Sequence, residues 1–160
     1  VPLTVRWPSV VKPGSHCDTP TVAMDFLPTL AAVLGQKAPE PMDGLNILPL
    51  WKDTGTIARD TLYWHYPHYM FSNGGTVIRQ GDFKLLQLYA DGRVELYDLS
   101  KDIGEETNLA NAMPERVKRM QDQLRRWQKD VGASMPTRDA RPHVSATASP
   151  PTGSRQVHEQ

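Results

Sequence analysis

The sequence predicts an α+β fold in which a small antiparallel sheet packs on a long C-terminal helix. Three observations predict it. Between residues 61 and 99, short runs rich in aromatic and branched residues are separated by turn signals at Asn73-Gly74-Gly75, Gly81-Asp82 and Asp91-Gly92. From Pro114 to Gly132, Val117, Met120, Leu124, Trp127 and Val131 recur at steps of three and four, the stripe of an amphipathic helix. Upstream, a short apolar helix stands between segments punctuated by proline and glycine, which the sheet-and-helix unit does not need.

Charge and cysteine usage narrow the functional classes. The 160 residues carry 18 basic and 18 acidic side chains, so the cationic excess of a nucleic-acid or anionic-membrane binder is missing. A single cysteine, Cys17, excludes an internal disulfide framework and a cysteine-rich zinc site. Nothing approaches the roughly 18 consecutive apolar residues of a bilayer span. The opening Val1-Pro2-Leu3-Thr4-Val5-Arg6-Trp7 has neither the basic start nor the apolar run of a signal peptide, and the chain is expected to be a piece of a longer protein.

Taken in order, Leu3, Val5 and Trp7 alternate with polar or prolyl neighbours, which predicts a strand over 1–7 that Pro8 stops. Val10-Val11 is a second extended piece before a Pro13-Gly14 turn. Asp25 is the expected N-cap of a helix with Pro28 in its first turn. Leu27, Leu30, Ala31 and Leu34 share one face, and Gly35 sits at C′. Residues 36–53 read as a loop with one short apolar piece, Leu45 to Trp51. Strands are expected at Thr61–Tyr66, Thr76–Arg79, Phe83–Tyr89 and Arg93–Leu99, with Phe83, Leu85 and Tyr89 facing Val94 and Leu96. In the last helix Pro114 suits N1 and Glu115 the positive end; Lys118, Arg119, Arg125, Arg126 and Lys129 form a solvated face. From Ser134 to Gln160 the chain has no Leu, Ile, Phe, Tyr or Trp, a composition that predicts disorder.

A search for catalytic apparatus returns absences. There is no phosphate-binding glycine loop, no Gly-x-Ser-x-Gly elbow and no His-Glu-x-x-His pair. Cys17 adjoins His16, but neighbours in an extended segment point apart, so a Cys–His nucleophile is not expected. The suggestive cluster is Trp64-His65-Tyr66-Pro67-His68-Tyr69, where imidazoles can donate to an oxyanion and aromatic faces suit sugar rings. The competing reading is a packed strand end with satisfied histidines. Arg79 and Lys84 flank the same sheet.

The order of these pieces resembles the C-terminal portion of arylsulfatase-type sulfatases. The fragments are "VPLTVRWPSVVKPGS", "DTPTVAMDFLPTLAAVLG", "DGLNILPLW", "RDTLYWHYPHY" and "IRQGDFKLLQLYADGRVELYDLSKDIGEETNLA", and they span about residues 1 to 136. The resemblance implies a C-terminal fragment of an alkaline-phosphatase-like α/β fold. Residues 1–55 would be a remnant of the large domain, 56–133 the sheet-plus-helix subdomain, and 134–160 a disordered tail. By the same resemblance the 1–7 strand and the Leu27/Leu30/Leu34 face would pack on a sheet outside this chain.

The family hydrolyses sulfate esters with a formylglycine made from Cys or Ser in a Cys/Ser-x-Pro-x-Arg motif, and with calcium held by Asp and Asn. Neither motif is present: the proline after Cys17 comes at Pro20, and Thr21 stands where the arginine would be. The resemblance therefore implies calcium and formylglycine in the parent, none in this fragment, and no catalytic or metal-binding residue here. It raises His65 and His68 as substrate-binding residues for a sulfated glycan or aryl sulfate. The expected partner is the missing N-terminal catalytic domain, with neither nucleic acid nor a membrane span, and the parent is expected to be exported to periplasm or medium. In the turn after the last strand the family's Asp-Pro-Gly-Glu is Asp102-Ile103-Gly104-Glu105. Two other readings stay open: a phosphodiesterase or phosphonate hydrolase of the same superfamily, and a non-catalytic carbohydrate-binding or interaction module.

Overall fold

A computed structural model describes residues 2–68 and 74–136. Tyr69, the loop residue Asn73 and most of the expected tail, 137–160, lie outside the described residues. The elements are α1 (Phe26–Val33), α2 (Leu48–Trp51), β1 (Thr61–Tyr66), β2 (Gly75–Gln80), β3 (Phe83–Leu88), β4 (Val94–Asp98) and α3 (Pro114–Asp130). They belong to two compact units, Val1–Leu62 with Arg79–Asp82, and Tyr63–Ile78 with Phe83–Gln160.

In the first unit the expected strand over 1–7 does not form among the described residues. A strand is held by a ladder partner, and the Trp7 carbonyl instead accepts the Val10 and Val11 amides in a turn at 3.1 and 2.9 Å. The Pro13-Gly14 turn is present, closed by the Ser15 amide on the Lys12 carbonyl. Helix α1 ends as its sequence requires. Gly35 adopts a positive φ of 64°, the Gly35 amide reaches Ala32 and the Gln36 amide reaches Ala31, a Schellman closure.

Asp25 precedes α1 but makes no side-chain cap on it. Its carboxylate is taken by other donors: the Val22 and Leu45 amides, each at 2.9 Å, and both terminal nitrogens of Arg59 at 2.8 and 2.6 Å. Thr29 Oγ1 donates to the Asp25 carbonyl at 2.6 Å and accepts the Ile47 amide at 2.9 Å. Gly44 is required by the same packing, because a Cβ there would stand 2.0 Å from the Met24 carbonyl oxygen. The piece expected as loop from Leu45 to Trp51 winds its last residues into α2, with Ile47 fully buried beside it.

The strands fall where the pattern puts them, in the order β1-β2-β3-β4. Strands β3 and β4 are antiparallel with Phe83 opposite Asp98, Leu85 opposite Leu96 and Gln87 opposite Val94. Phe83, Leu85, Val94 and Leu96 therefore share a face. On it, Ile78, Leu85 and Leu96 join Met120 and Leu124 of α3 in one buried cluster, with Val117 and Trp127 packed at its margin. Val131 does not join: it is the C-cap, past the last helical residue, and stands exposed. The cationic side of α3 is solvated as expected, with Asp122 pairing Lys118 at 3.2 Å and Arg125 at 2.5 Å.

The far edge of the sheet is closed by the segment after it. Asn108 Oδ1 accepts the Leu96 amide at 3.1 Å and the Ala110 amide at 2.9 Å, and the Leu109 amide donates to the Leu96 carbonyl at 2.8 Å. A side-chain amide thus imitates the next strand, satisfying backbone groups an edge leaves unpaired. The turn before it is tied by Asp102, whose oxygens accept the Glu106 and Thr107 amides at 3.0 and 2.8 Å. Ile103 stands exposed in that turn and takes no part in the tie.

Candidate functional site

The C-terminal end of β1 carries the cluster singled out in the sequence. Residues along a strand alternate between faces, and this separates its aromatic members. Tyr63 and His65 face α3, while Trp64 and Tyr66 stand exposed on the other side. Tyr63 stacks on Trp127 with centroids 4.8 Å apart and an interplanar angle of 5°, and its hydroxyl accepts Gln123 Nε2 at 2.9 Å.

His65 is half-buried with both ring nitrogens engaged. Nε2 lies 2.9 Å from the Ser134 carbonyl, and Nδ1 lies 2.8 Å from the Tyr89 hydroxyl. A carbonyl can only accept, so Nε2 carries the proton and, in the neutral ring, Nδ1 accepts from Tyr89. The Tyr89 hydroxyl in turn receives Gln128 Nε2 at 2.9 Å. A chain of bonds therefore runs from α3 through the end of β3 to the end of β1. His68 is exposed, its ring edge-on to Tyr66 with centroids 5.4 Å apart. The two histidines thus have different surroundings, one locked and one open to solvent. Tyr89, Gln128 and Ser134 carry no sequence signal for this role beyond the expected inward face of Tyr89.

The remaining candidates are committed elsewhere. Lys84 pairs with Glu105 at 2.5 Å, and Arg79 Nε donates to the Gly81 carbonyl at 3.2 Å. Cys17 is an exposed free thiol, and His16 turns to Asp18 at 2.7 Å. No group of His, Cys, Asp and Glu able to hold a metal ion occurs among the described residues. The acidic groups show why. Burial pushes the Asp25 carboxyl up, but the Arg59 and backbone hydrogen bonds together with the Arg59 charge outweigh it and hold it below the usual range. Asp98 is lowered chiefly by the Ser100 hydroxyl, Asp102 by the Glu106 and Thr107 amides, and Asp122 by Arg125 and Lys118. These carboxylates serve the chain's own donors. Among the described residues the carboxylates are engaged in this way and make up no set that fits a calcium ion.

Residues 1–130 match the family model described as "N-sulphoglucosamine sulphohydrolase, C-terminal". The chain belongs to that sulfatase family. A sulfatase of Formosa agariphila is 37% identical over 146 residues, covering 79% of this chain and 26% of the relative. An N-acetylglucosamine-6-O-sulfatase of Bacteroides thetaiotaomicron is 30% identical over 116 residues, covering 68% of this chain and 21% of the relative. Among solved structures, BT4656 in complex with its substrate D-glucosamine-2-N,6-O-disulfate superposes with a TM-score of 0.63 at 28% identity, covering 82% of this chain and 28% of that one. The sulfatase chain thus spans about a quarter of the length of the relatives it matches. Its small antiparallel sheet with helices corresponds to the C-terminal portion of an alkaline-phosphatase-like fold, and no helix among the described residues is long and apolar enough to cross a membrane.

Proposed function

We propose that these 160 residues serve as the C-terminal part of an enzyme hydrolysing sulfate esters of carbohydrates, and that they have no turnover alone. The observation that carries this is the family match over residues 1–130. The formylglycine, the calcium site and the chemistry of ester cleavage are assigned to a preceding catalytic domain. Residues 1–55 are its remnant and 56–133 the subdomain that borders it. Sulfated sugar is the favoured substrate class because BT4656 was solved with a disulfated glucosamine and a relative is an N-acetylglucosamine-6-O-sulfatase. At the substrate, His68 offers an exposed imidazole to sulfate oxygens. His65 borders the same strand end, with its ring held by Ser134 and Tyr89.

Two measurements test this. The 160-residue chain, assayed with an aryl sulfate and calcium, is expected to show no hydrolysis; calcium-dependent turnover by it overturns the proposal. A chimaera carrying this chain in place of the matching segment of the Formosa agariphila sulfatase is expected to hydrolyse sulfated sugars. There His68→Gln should raise KM at least fivefold with kcat nearly unchanged, and an unaltered KM removes His68 from the substrate site.

A further inference from the structure

Tyr89 holds the chain on both sides of His68. Its hydroxyl donates to His65 Nδ1 at 2.8 Å, and its amide donates to the Gly74 carbonyl at 3.2 Å. His65 is joined to His68 through Tyr66 and Pro67, and the prolyl ring leaves that link little freedom. Gly74 lies against the same link from the other direction. A Cβ there, at a φ of 56°, would stand 2.9 Å from the His68 carbonyl oxygen and 3.3 Å from that of Tyr66. The Tyr89 hydroxyl also belongs to a closed circuit. Gln128 Nε2 donates to it at 2.9 Å, and His65 Nε2 donates to the Ser134 carbonyl at 2.9 Å. Gly132, with a φ of 62°, turns the chain so that the Ala133 amide donates to the Gln128 carbonyl at 2.8 Å. The circuit thus returns to the residue it left, and every member lies in one compact unit.

We infer that Gln128, Tyr89 and His65 are positioning residues for His68: together they hold the segment that carries its imidazole and set where the ring points. That the ring points at a sulfate oxygen rests on the substrate reading above. The sense of the bonds supports the assignment. Gln128 Nε2 can only donate and the Ser134 carbonyl can only accept, so each bond of the relay has one direction and His65 one tautomer. Hydrogen bonds aligned in this way polarise one another and act as a unit. His68 needs such outside support, because its ring is exposed and its edge-on neighbour Tyr66 is itself 44% exposed. A side chain that the substrate must first order gives up part of its binding free energy to that ordering. Holding the backbone beneath it reduces the loss. A brace serving only the end of α3 would act independently of His68, and this is what separates the two roles.

The test uses Tyr89→Phe, which keeps the ring that meets His65 edge-on, and Gln128→Leu, which keeps the carbonyl that receives Ala133. In the Formosa agariphila chimaera each is expected to raise KM for a sulfated sugar by about threefold or more, with kcat nearly unchanged. Combined with His68→Gln, each should raise KM no further than His68→Gln does alone, because a positioning residue then has nothing left to position. Effects that multiply overturn the inference and leave the relay as a brace for α3. An unaltered KM in Tyr89→Phe, beside a raised one in His68→Gln, overturns it as well. In the 160-residue chain, the nuclear Overhauser effects between the Tyr66 and His68 rings are expected to be lost in Tyr89→Phe and in Gln128→Leu. Their persistence overturns the inference whatever the chimaera does. An unaltered KM in His68→Gln, with those effects lost in Tyr89→Phe, counts against the substrate reading alone and supports the relay as what places the His68 ring.

Discussion

Arg59 grips Asp25 with both terminal nitrogens, at 2.8 and 2.6 Å, across 34 positions of sequence. The carboxylate is fully buried and the Arg59 side chain is only 12% exposed. A fork-to-carboxylate pair of this geometry is the strong form of an ion pair. It connects the start of α1 to the segment entering β1, and the same carboxylate holds the Leu45 amide.

Removing one partner should therefore cost more than the pair contributes. Arg59→Met leaves a buried carboxylate with only the Val22 and Leu45 amides. The expected loss is about 3–5 kcal/mol, the range for breaking a buried pair from one side. Asp25→Asn/Arg59→Met together should be less damaging than Arg59→Met alone, because no charge is then left stranded. Urea denaturation of the four members of this cycle checks it; a double variant weaker than Arg59→Met would show that the pair is not the unit of stability.

Acid should weaken the fold, and the sign follows from the carboxylates. Asp25, Asp98, Asp102 and Asp122 are each held below the ordinary value in the folded chain. The unfolded chain therefore binds more protons between the folded values and the ordinary value of about 3.9. Their contribution is fully present above about pH 5 and is lost as pH falls through the folded values. The denaturation midpoint is expected to be level from neutrality to about pH 5 and to fall steadily below pH 4. In Asp25→Asn that fall should be shallower. A midpoint that rises on acidification would contradict the assignment.

How much of this was legible in the sequence depended on whether the signal was local. The strands around Asp91-Gly92, the stripe Met120–Leu124–Trp127 and the closure at Gly35 are set by neighbours in the chain, and each stands where the residues put it. The strand over 1–7 failed because alternation gives a face but not a partner. Asp before a helix usually caps it, but the Asp25 carboxylate is taken by Leu45 and Arg59, 20 and 34 positions on, separations no local pattern encodes. Likewise His65 was visible as a histidine among aromatics, while its lock required Tyr89, Gln128 and Ser134 to arrive from three other places.

Asn108 offers a sharper test of the sheet edge. Its Oδ1 serves the amide of Leu96, a fully buried residue, so Asn108→Leu strands that donor away from water. An unsatisfied buried amide costs about 1–3 kcal/mol. Asn108→Asp keeps the accepting oxygen and gives up only the long 3.4 Å bond from Nδ2 to the Val94 carbonyl, so it should cost less. Denaturation midpoints in the order wild type, Asn108→Asp, Asn108→Leu are expected. Equal midpoints for the two variants would mean that the side chain acts only as a spacer.

Hydrogen exchange should divide the chain unevenly. In residues 60–133 the amides of β2, β3 and β4 lie over a continuous apolar cluster of Ile78, Leu85, Leu96, Met120 and Leu124. In residues 1–55 the buried groups are chiefly Asp25, Thr29 and Ile47, while Leu27, Leu30 and Leu34 lie in water. Local opening follows buried apolar contact, so residues 60–133 should exchange by way of larger openings and residues 1–55 by smaller ones. Leu85→Ala, which empties the centre of the cluster, should cost about 2–5 kcal/mol and shorten protection throughout β3 and β4. Uniform protection over both stretches of the unmodified chain would mean that 1–55 is held as firmly as the sheet, and that its exposed leucines need no partner to stabilise them.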